Sequence, residues 1–310
     1  MLGGGCQASG VNQNLDTLLT ALYVDLDDRV LPVLGVTRDH VPGRKPELSD
    51  GELLCLAVAQ ELLQFDSERR FVRFAQAHLR GMFPRMPHQS GYSKRIRAAG
   101  GLIAAVTLEL ARDTASWQDL LRLVDSTPVP CATSRETVKR SDLAGHAGYG
   151  YCASHSRYFW GFRLYLVCAA DGMPVIWGLA NPKIGEREAL EAILRNDQHL
   201  IQQDEVILGD KGFAGREFER FMADELHVTF LRPDRRDERQ RHGNLAKIRQ
   251  WVEAVFDTLK GQLTLEHHGA RTLAGVHARI GARLLALAAA IWHNYRIDAP
   301  TKRSLIAYDH

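Results

Sequence analysis

The sequence predicts a mixed fold of the α+β or α/β class, in which an all-α N-terminal domain precedes a domain built around a sheet. Three observations predict this division. Apolar residues recur at helical spacing through the first third of the 310 residues. After Trp117, short apolar runs alternate with helical segments, which is typical of a mixed sheet. A chain of this length with 45% apolar residues can form two medium-sized cores.

Composition sets the predicted boundaries. Residues 12–115 form the predicted helical domain, and residues 116–298 form the sheet domain. Residues 1–11 are Gly-rich and are expected to be a disordered leader, because they lack the basic start and apolar run of a signal peptide. Residues 299–310 follow the last patterned helix and are expected to be a C-terminal tail.

Helices in the first domain are predicted from leucine spacing and from capping residues. The first helix carries leucines at positions 15, 18, 19, 22 and 26. Ser49 and Glu52 form a capping box that precedes the apolar run 53–63. Asp66 and Ser67 begin the next helix, and after a break at Pro84 and Pro87 a last helix runs to about residue 115.

The second domain begins with three predicted strands and then alternates helices with strands. The predicted strands are 120–124, 159–169, 174–179, 206–208 and 228–231, and the predicted helices are 186–195, 216–225, 245–263 and 272–295. An Asp171-Gly172 turn joins the second and third strands. This order is typical of a ribonuclease-H-like domain, in which the first and fourth strands lie side by side.

Composition and charge indicate where the protein works in the cell, but they do not decide whether it binds nucleic acid. The five cysteines are odd in number and include no C-x-x-C pair, which argues against a disulfide framework or zinc site and favours a reducing, cytoplasmic location. The longest apolar stretch, 284–292, is too short to span a membrane. The net charge of +2 neither demands nor excludes nucleic acid, although bases predominate between Arg232 and Arg249.

Three acidic residues are the candidates for catalysis. Asp125 and Asp210 follow the first and fourth predicted strands, so their carboxylates are expected at one sheet edge. Taken alone, Asp125 is also compatible with a helix cap or a turn residue, and Asp210 with a plain turn. Arg249, Glu253 and Lys260 fall within about 40° of one another on the long helix, an arrangement that a solvated salt-bridged stripe also produces. Asp257 is the rival acid on that face.

Several motifs, taken in order, resemble bacterial insertion-sequence transposases of the DDE type, and in particular the insertion sequence 982 family. They are the segments 123–130 around Asp125, 161–167 and 208–213 around Asp210, followed by the Arg-x3-Glu-x6-Lys spacing of Arg249, Glu253 and Lys260. The resemblance covers roughly residues 12–296. Related groups carry a tyrosine three residues before the arginine, whereas this chain has Ala246.

The resemblance implies a two-metal reaction on DNA. Asp125, Asp210 and Glu253 would bind two Mg²⁺ or Mn²⁺ ions about 3.5–4 Å apart, an arrangement that activates water and stabilises the leaving oxygen of a phosphodiester. Cleavage at terminal inverted repeats would precede strand transfer into target DNA. Arg249 and Lys260 would contact phosphates, with Lys211 and the basic loop 235–241 as weaker candidates for the same role.

The helical domain would then read the terminal repeats in double-stranded DNA. Lys94, Arg95 and Arg97 open a candidate recognition helix, with Tyr92 beside them for stacking or phosphate contact, although a solvated basic helix start explains the same residues. Synapsis of two ends predicts a homodimer on DNA, associated with the nucleoid when bound and without membrane contact.

Two further functions remain open. A ribonuclease-H-like nuclease would use the same acids without strand transfer, and a domesticated, inactive protein would only bind DNA. A small-molecule enzyme on a doubly wound sheet is disfavoured, because no Gly-rich phosphate loop follows the first strand.

Overall fold

The structure of the protein, a computed structural model, describes residues 9–36, 46–152, 156–234, 238, 245–300 and 305. The α-helices are α1 (Ser9–Asp25), α2 (Leu31–Val33), α3 (Asp50–Leu62), α4 (Glu68–His78), α5 (Gln89–Ala98), α6 (Gly100–Arg112), α7 (Arg135–Lys139), α8 (Glu186–Asn196), α9 (Arg216–Arg220), α10 (Ala246–Gly261) and α11 (Leu273–Arg296). The strands are β1 (Leu121–Ala132), β2 (Gly148–Cys152), β3 (Arg157–Ala169), β4 (Pro174–Ala180), β5 (Val206–Leu208) and β6 (Thr229–Leu231).

These six strands form one mixed sheet in the described part of the chain. The order is β2-β3-β1-β5-β6, and β4 also pairs with β3. Strand β3 is antiparallel to β1, β2 and β4, whereas β5 is parallel to both β1 and β6. The predicted adjacency of the first and fourth predicted strands is therefore confirmed as the β1–β5 pair. Strand β2 was not predicted, because its sequence Gly-Tyr-Gly-Tyr-Cys has glycines where a strand pattern needs bulky residues.

Strand β1 is longer than predicted, and this changes the position of Asp125. The prediction that the strand ends at this aspartate is wrong, because β1 continues to Ala132 and Asp125 pairs with Leu166 of β3. On its other edge β1 pairs with β5 only as far as Leu123. Beyond that point the second edge carries no strand partner among the described residues, which explains how Pro128 and Pro130 are tolerated in a strand.

The two faces of the sheet belong to different apolar clusters. Leu123 contributes to one cluster and the next residue, Val124, to the other, as expected from the alternation of side chains along a strand. The second cluster contains the buried residues of α8 and α9. The first cluster is continuous through α10, α11 and the helices of the first third. The first third and the sheet therefore share packing, and the predicted boundary near residue 115 stays a prediction.

Capping residues in the first third act as predicted. The Ser49 hydroxyl accepts a hydrogen bond from the Glu52 N–H at 3.0 Å, and the Glu52 carboxylate accepts one from the Ser49 N–H at 2.5 Å. Ser67 caps α4 by accepting from the Arg70 N–H. Helix α1 begins at Ser9, so residues 9–11, assigned to the leader from the sequence, lie in its first turn.

Helix α11 is the central helix of the larger core. It is 24 residues long and is apolar enough, by length and composition, to cross a membrane, but 83% of its apolar window is buried within the protein. Arg283 of α11 forms an ion pair with Glu61 of α3 at 3.1 Å, and both side chains are buried. Burial raises the pKa of Glu61 to about 7, and the nearby Arg283 guanidinium opposes this shift.

Candidate active site

Asp125 and Asp210 meet at the carboxyl edge of the β1–β5 pair. The last paired residues are Leu123 and Leu208, and each aspartate lies two residues farther along its own segment. Oδ1 of Asp125 accepts a hydrogen bond from the Ser126 N–H at 2.7 Å. Oδ1 of Asp210 accepts one from the Lys211 N–H at 2.6 Å, which caps the 3₁₀ turn that follows β5. The register of two parallel strands therefore brings the two carboxylates to one place.

The Asp125 carboxyl lies in an electrostatically unfavourable position. Its pKa is raised from 3.8 to about 6, mainly by burial, and the negative charges of Asp210 and Glu186 contribute to the rise. The Ser126 N–H and the Arg249 guanidinium act in the opposite direction. A half-buried carboxylate with like charges beside it binds a proton, or any other cation, more strongly than an exposed one.

Helix α10 brings the third acid and an arginine to the aspartates. Nη2 of Arg249 lies 3.1 Å from Oδ1 of Asp210 and 3.6 Å from Oε1 of Glu253. The helix is held over β1 by a buried apolar stripe, at Val252, Val255, Phe256 and Leu259. Glu253 is not part of that stripe, and its side chain is 53% exposed. One guanidinium thus bridges Asp210 and Glu253.

The other predicted phosphate ligands form no ion pair with this centre among the described residues. Lys211 is exposed directly after Asp210, and Lys260 is half-buried in the last turn of α10. The rival acid Asp257 is exposed one turn after Glu253. The basic loop residues Arg235, Arg236, Arg239 and Arg241 lie outside the described residues. Arg232, at the start of that basic region, is buried and pairs with Glu219 and Glu238, so it is not free to bind DNA.

The predicted recognition residues share helix α5, in the first third. Lys94 and Arg97 are exposed. Arg95 is partly committed to the protein, since its guanidinium donates to the Leu48 carbonyl at 2.6 Å and pairs with Asp50. The expectation that Tyr92 contacts DNA is wrong, because this side chain is 1% exposed and its hydroxyl donates to Gln60. Its position in the apolar stripe of a helix explains the difference.

The chemistry of the donor set fits a divalent cation. Asp125, Asp210 and Glu253 offer carboxylate oxygens, which hard cations such as Mg²⁺ prefer. Within the part of the chain that the structure describes, no three His, Cys, Asp or Glu side chains are grouped closely enough to hold an ion in this arrangement. The Arg249 guanidinium lies between two of the three acids and offsets their charge.

Two residues near this centre were not identified from the sequence. Arg163 of β3 donates to the Ser126 hydroxyl at 3.0 Å and forms an ion pair with Glu186, the first residue of α8. Arg163 stands in a motif that was recognised, and Glu186 begins a helix that was predicted. The sequence carried no signal that their side chains meet, because the contact depends on how α8 packs on the sheet.

Comparison with known families assigns the chain. A family model described as "Transposase DDE domain" matches residues 116–289, which is more than half of the chain. The chain belongs to this family of DDE-type transposases. The matched region contains the whole sheet and the three candidate acids, and its mixed α+β architecture fits a DDE domain. No curated protein matches the sequence. Membership of the insertion sequence 982 family stays a prediction.

Transposases are enzymes that act on DNA, and DDE-type members generally use divalent metal ions. The family match therefore supports a DNA partner and metal-dependent chemistry in general terms.

Proposed function

We propose that this protein is a DDE transposase that cuts DNA at the terminal inverted repeats of its element and joins the freed 3′ ends to target DNA. The observation that supports this most directly is the meeting of Asp125 and Asp210 at one strand edge, with Glu253 linked to Asp210 through Arg249. A ribonuclease-H-like arrangement is part of the proposal, supported by the parallel β1–β5 pair.

In this proposal Asp125, Asp210 and Glu253 hold two Mg²⁺ or Mn²⁺ ions. Such ions, when bound, supply a nucleophile at neutral pH and stabilise the leaving oxygen of an in-line displacement. Asp125 carries the central role, because it is the most buried of the three acids and has the Asp210 carboxylate beside it. Asp125 gives up its proton to solvent at neutral pH, since a pKa of about 6 leaves the carboxylate mainly ionised.

In this proposal Arg249 exchanges its acidic partners in the free protein for a phosphate when DNA binds. Its guanidinium pairs with both Asp210 and Glu253 in the protein alone and offsets one of their two negative charges. A DNA phosphate entering the site offers the same guanidinium a charge-assisted hydrogen bond of comparable strength. Lys211 and Lys260 would contribute further positive charge, and each phosphate contact adds to a salt-sensitive affinity.

Recognition of the terminal repeats is assigned to the helical first third. Helix α5 offers exposed Lys94 and Arg97, with Arg95 between them anchored to Asp50. Two copies of the chain on paired DNA ends would make a homodimer, working in the cytoplasm and associated with the nucleoid when bound. The insertion sequence 982 group is the family branch that the sequence motifs favour.

The test uses labelled duplexes from both ends of the element with purified full-length protein and either Mg²⁺ or Mn²⁺. The wild type should nick at the repeat boundary and join the end to a target duplex. Asp125→Ala and Glu253→Ala should bind the ends but neither cut nor join them, whereas Asp257→Ala serves as the matched control and should retain activity.

Other outcomes assign other functions. Cutting without joining would indicate a nuclease, and binding without cutting under either metal would indicate an inactive DNA-binding protein. Normal cutting by Glu253→Ala with loss in Asp257→Ala would move the third acid to Asp257.

A further inference from the structure

Arg163 connects the two aspartate-bearing segments, although it forms neither a hydrogen bond nor an ion pair with either aspartate. Its guanidinium Nη1 lies 3.0 Å from Oγ of Ser126 and is also bonded to Oε1 of Glu186. The Arg163 side chain is only 18% exposed, against 40% for Glu186. A largely buried guanidinium with two partners is held in place, because moving it would leave a charge unpaired in a poorly solvated position.

On the β1 side, the hydrogen bond from Arg163 restrains Ser126, the residue whose backbone N–H orients Asp125. Ser126 follows Asp125, and its N–H donates to Asp125 Oδ1 at 2.7 Å. At this point β1 has already lost β5 as a partner, since their pairing ends at Leu123. The Arg163–Ser126 hydrogen bond therefore restrains a stretch of β1 that has β3 on only one of its edges.

On the β5 side, Glu186 touches the turn that follows Asp210. An added Cβ at Gly212 would lie 2.7 Å from Oε2 of Glu186, so the carboxylate sits directly against this backbone. The neighbouring Arg187 donates from Nη1 to the Ala214 carbonyl at 3.1 Å. The first turn of α8 is thus seated on residues 211–214, immediately after Asp210.

We propose that Arg163 is a positioning residue that sets the separation and orientation of the Asp125 and Asp210 carboxylates. It does so through Ser126 on one strand and through Glu186, which contacts the Gly212 turn, on the other. This inference rests on the proposed metal-binding role of the two aspartates, and it assigns Glu186 as the anchor of Arg163 rather than as a ligand.

The test measures the affinity of the full-length chain for Mn²⁺ by the electron paramagnetic resonance signal of the free ion. Arg163→Gln should weaken the Asp125-dependent affinity by about ten- to a hundredfold, the usual range for residues that orient metal ligands. Arg163→Lys should recover part of that loss, because the ammonium still reaches one partner. Glu186→Gln should lose less affinity than Arg163→Gln, because its amide oxygen still accepts from Arg163 and only one nearby negative charge is removed.

Arg195→Gln is the matched control, since it breaks the ion pairs with Glu191 and Glu225 at the other end of the same helix. It should leave Mn²⁺ affinity unchanged. Circular dichroism checks the folding of every variant. If Arg163→Gln fails to fold, the Mn²⁺ affinities of Arg163→Lys and Glu186→Gln are compared instead. The lysine variant should then lose more affinity than the glutamine variant.

Three results would overturn the inference or its basis. Wild-type affinity in folded Arg163→Gln would show that Arg163 does not position the site. A loss in Glu186→Gln as large as that in Arg163→Gln would make Glu186 a ligand. An affinity that is unchanged by Asp125→Asn in the parent protein would instead contradict the proposed function itself.

Discussion

The two ends of the β1–β5 pair hold charged residues in opposite ways. At the amino end, Arg122 and Glu205 form an ion pair at 3.2 Å, and their side chains are 1% and 3% exposed. Arg122 also donates to the carbonyls of Ser116 and Trp117. At the carboxyl end, Asp125 and Asp210 lie together with a partly exposed arginine as their nearest cation.

The difference separates charges that stabilise the fold from charges that are available to a ligand. The Arg122 guanidinium at the amino end is surrounded by the Glu205 carboxylate and by backbone carbonyl oxygens of the protein itself, so it is not available to a ligand. The carboxyl end has an excess of acids, with Asp125, Asp210, Glu186 and Glu253 around two arginines. Removing either charge should therefore destabilise the protein at the amino end, whereas removing an acidic charge should stabilise it at the carboxyl end, as expected where stability is traded for ligand binding.

The largest expected effect is at the amino end. Arg122→Ala should lower the free energy of unfolding by about 3–5 kcal/mol, because it leaves the buried Glu205 carboxylate without its cation. Urea denaturation followed by circular dichroism measures the change. The double variant Arg122→Met with Glu205→Leu is the control and should retain most of the stability. A loss below about 1 kcal/mol in Arg122→Ala would show that the Arg122–Glu205 ion pair is not needed to hold the fold together.

The next effect has the opposite sign and occurs at the carboxyl end. Asp125→Asn should raise the free energy of unfolding of the metal-free protein at neutral pH by roughly 2–3 kcal/mol, since each unit of pKa shift corresponds to about 1.4 kcal/mol. Folding raises the pKa of Asp125 from 3.8 to about 6, so the folded protein binds the Asp125 proton more tightly than the unfolded chain does. The stability that this proton confers is present below pH 3.8 and is lost as the pH rises through about 6.

The pH dependence provides the check on that prediction. The advantage of Asp125→Asn over the wild type should shrink as the pH falls from about 6 to about 4, and urea melts in EDTA across this range measure it. Asp171→Asn, in the β3–β4 turn, is a control aspartate variant that should not reproduce this profile. An advantage that is constant with pH would mean that Asp125 does not titrate in this window.

A smaller effect is expected for the arginine between the acids. Arg249→Gln should lower the free energy of unfolding by only about 0.5–1 kcal/mol, because its partners are partly exposed and solvent screens the pairs. It should also raise the pKa of Asp125 further, since the Arg249 charge lowers that pKa. Carbon-13 NMR of the labelled aspartate carboxyls follows this titration, and an unchanged Asp125 titration would place Arg249 outside the site.

The smallest effect on stability is expected for Lys211, where the charge is fully available to DNA. Lys211→Gln should leave the unfolding curve unchanged but reduce the dependence of end binding on salt by about one unit of slope. Fluorescence anisotropy at several salt concentrations measures the slope. An identical slope in variant and wild type would remove Lys211 from the proposed phosphate contacts.

The sequence predicted the site best where the information is local. The short apolar strands before Asp125 and Asp210 and the helical face of Arg249 and Glu253 are patterns of neighbouring residues. The predicted end of the strand at Asp125 was wrong, because β1 keeps β3 as a partner after its pairing with β5 ends. The residues around Asp125 give no indication of where the pairing with another strand ends.

Side-chain partners were harder to predict than elements. Tyr92 and Arg232 occur in basic stretches that suggested DNA contact, yet one is bonded to Gln60 and the other is paired with Glu219 and Glu238. Glu186 was missed for the converse reason, because an acid in the first turn of a helix is usually explained by the helix dipole. Its contact with Arg163 requires the packing of α8 on the sheet.

The central claim is that the carboxyl end of the β1–β5 pair is built for a cation rather than for stability. The measurement that tests it most directly is the free energy of unfolding of wild type and Asp125→Asn, each in EDTA and in Mn²⁺. Asp125→Asn should be the more stable protein in EDTA, and Mn²⁺ at about 1,000 times its dissociation constant should add about 4.1 kcal/mol to the wild type and little to the variant, reversing the order. Equal gains from Mn²⁺ in both proteins, or a less stable variant in EDTA, would contradict the claim.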